Sequence, residues 1–425
     1  MIRFLHAADL HLDSPLLGLE KYEGAPADRI RGATRRALEN LVKLAIAERV
    51  QFVILAGDIY DGAWNDAGTG MFFLGEMLKL KAADIPVFLI SGNHDAASKI
   101  ARHLPASDSY TLLPHDQPRT IRLDSLGVAL HGQSYSEPAV TANLALAYPA
   151  AVKGMLNIGL LHTALTGRDG HARYAPCMLD DLLTRNYDYW ALGHIHLRES
   201  VNDRRTPWVE FPGNIQGRHI REQGPKGCLL VTLGDAGAVH GEFRPLDVVR
   251  WSLVRVDCED VTRREEIDDR IKAELANAHA EAEGRLLAAR VELVGVSPLH
   301  NELQAQAGQV REAVRALALN FADSIWIEKV RVATSAVEES SSEPALGEDA
   351  LSEIAAVAAE LAENPEELQR LFEAEGVKAL SAKVPEELKE GESPIALGDP
   401  AWIRTLLNRA QAILAAEAAA KGAKR

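Results

Sequence analysis

Short runs rich in β-branched and aromatic residues recur through the first 250 positions of this 425-residue chain, with helix-like stretches and Gly or Pro punctuation between them. That alternation is what an α/β fold requires, since each sheet must be covered by the helices that connect its strands. Strands are predicted over 2–7, 52–56, 87–90, 128–131, 157–161, 189–192 and 228–233. Helices are predicted over 29–48, where Ala37, Leu41, Leu44 and Ala45 recur at helical spacing, and over 71–81, before the Ile85-Pro86 break. The apolar runs are far shorter than the roughly 20 residues of a membrane helix. The opening residues meet His6, Asp9 and His11 before any apolar signal region forms, so a cytoplasmic protein is expected. Cys177, Cys228 and Cys258 show no CxxC spacing and are expected as ordinary reduced thiols.

Near residue 250 the pattern changes to a strand (251–256), a charged helix (263–282), a strand (289–293), a helix (299–319) and a strand (325–332), which reads as a small α+β unit. A polar linker follows at 338–344, and then an Ala- and Glu-rich helical region in which Asn364-Pro365 and Asp399-Pro400 each mark a helix start. The expected organisation is a catalytic domain over 1–250, an α+β domain over 251–335, a linker over 336–347 and an acidic helical tail over 348–425. The net charge of −15 is concentrated in the last part, with −2 over 1–250, −4 over 251–335 and −9 over 336–425. In the tail, Ile403, Leu407, Ala410 and Leu414 form one apolar stripe, with Trp402, Leu406 and Ile413 beside it; Leu351, Ile354, Ala358 and Leu361 form another. Such stripes either fold back on the protein or dock a partner.

The chemistry gathers just after the predicted strands. Asp9-Leu-His11 follows the first, Gly57-Asp58 the second and Gly92-Asn93-His94-Asp95 the third, while later strands lead into His162 and Gly193-His194-Ile-His196. Ligands in α/β folds collect at the carboxyl ends of strands, so these five loops are expected to converge. Two carboxylates, one amide oxygen and four imidazoles are the mixed donor set that two borderline divalent ions accept. In Asp-x-His and His-x-His, residues two apart are expected to point the same way along an extended segment. Asp13 and Asp61 are candidates to orient a ligand histidine or to cap turns, while His6, His131 and His219 are expected in core, surface or substrate-contact roles.

This ordered set resembles the calcineurin-like metallophosphoesterase superfamily. The resemblance covers about residues 1–235 and implies an α/β fold: a two-sheet sandwich flanked by helices (αββα), with a small capping domain and a helical C-terminal region. It also implies that Asp9, His11 and His196 hold one metal and Asn93, His162 and His194 the other, with Asp58 bridging. His94 would be the acid for the leaving oxygen and Asp95 would orient it. Some nuclease members carry a histidine shortly after the GD motif, where this chain has Asp61.

The opening Phe4-Leu-His-Ala-Ala-Asp-Leu-His-Leu-Asp13, the segment Phe211-Pro-Gly-Asn-Ile-Gln-Gly-Arg218, and Ile325-Trp-Ile-Glu-Lys-Val-Arg331 are similar to the DNA repair exonuclease branch of the SbcD/YhaO type. That implies DNA cleavage with manganese (iron or zinc being alternatives), in partnership with an SMC-like coiled-coil ATPase of the SbcC/YhaN type, and leaves room for a homodimer. Arg198, Arg204, Arg205, Arg218, Arg221 and Lys226 form a basic cluster near the GHIH motif that suits phosphate contacts, or is an ordinary solvated loop. Trp208 and Tyr135 are candidates to stack on an unpaired base, or are buried. Two rival readings stand beside this one: a phosphatase or small-diester phosphodiesterase with the same metals, and an inactive scaffold.

Overall fold

The computed structural model describes residues 1–14, 26–61, 67–98, 107–165, 174–202, 206–234 and 238–337, together with 356, 357, 360, 364, 370, 399, 402–407 and 410 in the tail. In chain order its strands are β1 (Ile2–Ala7), β2 (Phe52–Ala56), β3 (Val87–Ile90), β4 (Thr111–Leu112), β5 (Arg119–Leu123), β6 (Val128–Gly132), β7 (Leu156–His162) and β8 (Tyr189–Gly193). They continue with β9 (Glu199–Ser200), β10 (Trp208–Phe211), β11 (Gly227–Leu233), β12 (Val239–Pro245), β13 (Val249–Asp257), β14 (Leu286–Val294) and β15 (Ile325–Val332).

Two six-stranded sheets result, in the orders β12-β11-β1-β2-β3-β4 and β5-β6-β7-β8-β10-β9. Each has a parallel centre with antiparallel strands toward one or both edges. Side chains along a strand alternate between faces, and here both faces are buried. In β1 and β2, Phe4, Phe52 and Ile54 enter the core shared with the second sheet, where they meet Leu130, Ile158, Leu160 and Tyr189. Leu5, Ala7, Val53 and Leu55 point the other way, against Ala37, Leu38, Leu41, Phe73 and Met77. Those last residues lie on α2 (Ala33–Glu48) and α3 (Ala67–Ala82), which follow the short α1 (Ala27–Arg31). On the far side of the second sheet, Leu161, Trp190, Leu192 and Phe211 pack with Tyr148 and Leu182. The layers are therefore helix, sheet, sheet, helix. Phe4 stacks on Phe52 with centroids 4.8 Å apart, and Tyr189 meets Phe4 edge-on at 5.5 Å. Such pairs contribute about 0.5–1.5 kcal/mol beyond their burial.

The predicted helix over 29–48 is two helices that meet at Gly32, and the one over 299–319 is divided at Gln306 between His300–Ala305 and Ala307–Ala318. Sequence reasoning missed β4, β5, β9, β10 and β12. These are short or lie at sheet edges, where one exposed face leaves a polar alternation, as in Val239–Pro245, in place of an apolar run.

The third sheet has the order β13-β14-β15. By compactness the chain divides within these strands: one unit holds Met1–Leu253, Ala278–Arg290 and Phe321–Glu328, the other Val254–Asn277, Val291–Asn320 and the chain from Lys329. Within the first unit, Ile30 and Ala33 pack with Val249, Trp251, Ala288 and Trp326, and Arg290 is clamped on Glu328 through two hydrogen bonds of 2.8 and 2.7 Å. Within the second, Val310 and Val314 are buried, and Arg331 pairs with Glu292 at 3.2 Å. Cys177, Cys228 and Cys258 are buried. No helix among the described residues is long and apolar enough to cross a membrane.

Candidate metal centre

Pairing registers bring the motif loops together. Ala7 lies opposite Leu55 and Ala56 opposite Ile90, so β1, β2 and β3 end nearly level; His162 lies opposite Gly193 in the other sheet. Past the strand ends, Asp9 N donates to Gly57 O at 3.0 Å, His11 N to Asp58 O at 3.0 Å and Leu12 N to Ile59 O at 2.9 Å. The first two motif loops thus run side by side. The expectation that Asp9 and His11 share a direction along extended backbone does not hold. Their φ angles are 53° and 43°, and those of Asp58 and His194 are 53° and 101°. Left-handed backbone at non-glycine residues costs about 1–3 kcal/mol each. The interloop hydrogen bonds over-determine it, and the unusual turn aims both side chains into one space.

The space is lined by the seven expected donors. Asp9, His11 and His196 have ligand atoms within 4.8 Å of one another, as do Asp58, His162 and His194. His11 Nε2 and His196 Nε2 face each other at 3.1 Å, and His162 Nε2 and His194 Nδ1 lie 3.1 and 3.3 Å from Asn93 Oδ1. Asp58 Oδ2 sits between the groups, 3.8 Å from His11 Nε2 and 3.4 Å from His162 Nε2. Two imidazole nitrogens aimed at one another beside buried carboxylates make chemical sense around a cation, and the mixed nitrogen and oxygen set fits borderline divalent ions. These clusters could hold metal.

The main chain anchors the acids: His194 N donates to both Asp9 oxygens at 3.0 and 3.1 Å, and His94 N to Asp58 Oδ1 at 2.9 Å. Two motif glycines are required by close approach. A Cβ at Gly92 would lie 2.3 Å from Asp58 Oδ1, and one at Gly193 would lie 2.0 Å from Ala56 O and 2.9 Å from the His162 ring. Burial opposes a charge on His162, but the adjacent Asp58 carboxylate raises it to about 9. Burial and the nearby Arg218 guanidinium push His11 down to about 3.

His94 is held differently from the family expectation. Its Nδ1 lies 3.0 Å from Asp61 Oδ1, while Asp95 is turned away, accepting from Tyr60 N at 2.9 Å and Gly92 N at 3.0 Å. Asp61 therefore orients His94, and Asp95 ties two loops together; burial, reinforced by Asp58, raises Asp95 to about 7. Asp61 also lies 3.4 Å from His11 Nδ1 and accepts from Ser14. Burial works against a charged His94 imidazole, but its bond to Asp61 carries it above the ordinary histidine range. Among the described residues Asp13 accepts from Arg35 of α2 and Thr69 of α3 and bonds no ligand histidine.

Two members of the basic cluster, Arg218 and Lys226, are turned inward, while Arg198 and Arg221 are exposed. Arg218 bonds Glu222 at 2.9 Å and lies 3.9 Å from Asp61; buried Lys226 donates to His196 O at 2.9 Å. Arg198 lies over the Phe243 ring at 4.3 Å, Arg221 is exposed, and Arg204 and Arg205 lie outside the described residues. Trp208 and Tyr135 are buried, Tyr135 edge-on to His162 at 5.4 Å, so neither presents a face to a base. His6 bonds Tyr189 and Leu192 in the core, His131 bonds Thr120 and Asn157, and half-exposed His219 lies 3.8 Å from Glu222. Sequence reasoning missed Glu222, whose Oε1 is 2.7 Å from His196 Nδ1. A lone glutamate in a loop carries no signal of that role.

Residues 2–198 match the family described as calcineurin-like phosphoesterase, and residues 251–335 the family described as metallophosphoesterase YhaO, middle domain. The chain is 35% identical over 270 residues to the "Uncharacterized metallophosphoesterase YhaO" of Bacillus subtilis, covering 60% of this chain and 63% of that protein. It is 24% identical over 296 residues to the "DNA double-strand break repair protein Mre11" of Methanopyrus kandleri, covering 62% of each. With the protein of the same description from Saccharolobus solfataricus it shares 26% identity over 293 residues, 64% of this chain and 72% of that one. The matched stretch thus spans a little under two thirds of the first two relatives. Arg218 and Glu222 fall between the two family matches.

Proposed function

We propose that this chain, whose residues 2–198 match the calcineurin-like phosphoesterase family and whose residues 251–335 match the YhaO middle domain, is a two-metal phosphodiesterase that cleaves DNA as an exonuclease. The observation that carries this reading is the meeting of Asp9, His11, Asp58, Asn93, His162, His194 and His196 from five loops in one buried space. Two divalent ions there, manganese being the proposed pair, would neutralise the charge of a phosphoryl transition state and lower the pKa of a shared water. The chain's own part is positional. Left-handed loop backbone and the amides of His94 and His194 fix the carboxylates, so no reorganisation is needed during reaction. His94 Nδ1, engaged with Asp61, leaves Nε2 as the atom from which a proton passes to the leaving oxygen.

Support for DNA comes from the Mre11 proteins among the relatives and from exposed Arg221 near the site. The proposed setting is cytoplasmic DNA repair. An SMC-like coiled-coil ATPase is the proposed partner, docking on the acidic tail, where residues 402–407 are helical. Inward-turned Arg218 and Lys226 favour a second reading, a small-diester phosphodiesterase, because they leave few cations for a polyanion.

Purified protein with manganese, assayed on end-labelled duplex and single-stranded DNA beside bis-p-nitrophenyl phosphate and a monoester, separates these readings. DNA and diester cleavage should exceed monoester hydrolysis, with DNA cleavage falling steeply as salt rises. Diester hydrolysis without DNA cleavage selects the second reading. A preference for the monoester overturns both.

A further inference from the structure

One ring nitrogen in the site has two neighbours that demand opposite protonation. His196 Nδ1 lies 2.7 Å from Glu222 Oε1 and 3.2 Å from Arg218 Nη2. A carboxylate only accepts and a guanidinium only donates. If Nδ1 carries the proton it donates to Glu222, and the lone pair on Nε2 faces His11 Nε2 and the Asp9 cluster. If Nδ1 is bare it accepts from Arg218, and the proton sits on Nε2, where it blocks a cation. The two tautomers therefore differ in whether the ring can be a ligand at all.

Glu222 wins this competition on three counts. Its contact is the shorter and is charge-assisted. It engages the competing guanidinium itself, which donates from Arg218 Nη2 to Oε1 at 2.9 Å and from Nε to Oε2 at 3.4 Å. It is buried and held in place by Asn214 Nδ2 at 3.0 Å. His162 makes the contrast, since its Nδ1 lies 2.9 Å from Ala56 O, a main-chain acceptor that no donor rivals among the described residues.

We propose that Glu222, outside the matched phosphoesterase segment, is a positioning residue that fixes the His196 tautomer and so sets the affinity of the ion held by Asp9, His11 and His196. This role rests on the two-ion reading above. The test uses the full chain in two measurements. In metal-free protein at about pH 8, above the ordinary imidazole range, nitrogen-15 spectra report which ring nitrogen of His196 is protonated, with His196→Gln giving the assignment. Manganese titration then counts ions and their affinities.

The wild type should carry the His196 proton on Nδ1 and bind two ions. Glu222→Gln should move the proton toward Nε2 and weaken one of the two ions roughly 10- to 100-fold. Adding Arg218→Met to Glu222→Gln removes the competing donor, so part of that loss should return. A merely structural role predicts the reverse, since a second truncation beside the ligand would only weaken binding further. If Glu222→Gln alone does not fold, the double variant carries the test, because it removes both charges of the buried pair; its His196 should then lose the wild-type bias toward Nδ1. An unchanged tautomer in a folded variant, or a double variant that binds no more tightly than Glu222→Gln, overturns the role. A wild type that binds fewer than two ions while its tautomer still responds to Glu222 overturns the two-ion reading and leaves the tautomer control standing.

Discussion

At the scale of single residues, the site depends on which acid faces which imidazole. His94 lies within ligand reach of His11 and Asp58, yet its Nδ1 is committed to Asp61. In its proposed role as proton donor it is dispensable for binding, since the seven other donors remain. His94→Ala should therefore retain both ions in metal analysis while turnover falls about 100- to 10,000-fold. Loss of an ion from that variant would make His94 a ligand instead. The sequence motif brings His94 and Asp95 together as neighbours, but helical backbone from Asn93 sends the two side chains apart. Asp61 reaches His94 from a separate loop.

At the scale of elements, strand β7 shows how packing dictates residue choice. Gly159 lies beneath Trp190 of β8, and a Cβ there would sit 2.3 Å from the indole ring. Trp190 cannot yield, because it stacks on Tyr187 at 4.9 Å and donates from Nε1 to Leu182 O at 3.2 Å. Gly159→Ala should cost about 1–3 kcal/mol, read as a lower urea midpoint with unchanged slope. An unaffected midpoint would show that the Trp190 layer can shift. The central strands other than the four-residue β10, which carries Glu210, were readable because burial on both faces leaves continuous apolar runs. The edge strands were not, for the complementary reason that one open face admits charges.

For the whole molecule, the chain beyond residue 337 carries most of the acidity and almost all of it lies outside the described residues. Ser335 bonds both Gly295 and Ser297, so a boundary should fall after Val337 and not before Ser335. A chain ending at Val337 should fold, bind two manganese ions and hydrolyse a small diester at the full-length rate, but fail to co-purify with the proposed ATPase partner. Equal recovery of that partner would remove the tail from its docking. Insolubility of the shortened chain would mean that the apolar stripes, such as Ile403 and Leu407, cover the protein's own surface.

The sequence by itself determined the α/β layering and the set of seven donors, because strand period, glycine punctuation and motif order are local properties written in consecutive residues. Tertiary structure decided how those donors are used. Left-handed turns aim Asp9 and His11, Asp61 replaces Asp95 at His94, and Glu222 takes His196 from 26 residues away. Arg218 and Lys226, which read as candidate phosphate contacts, are drawn inward by Glu222 and the His196 carbonyl. The physical reason is common to all four: a charge or a proton is placed by whichever partner lies within about 3 Å in a desolvated space, and proximity of that kind belongs to the fold, not to spacing along the chain.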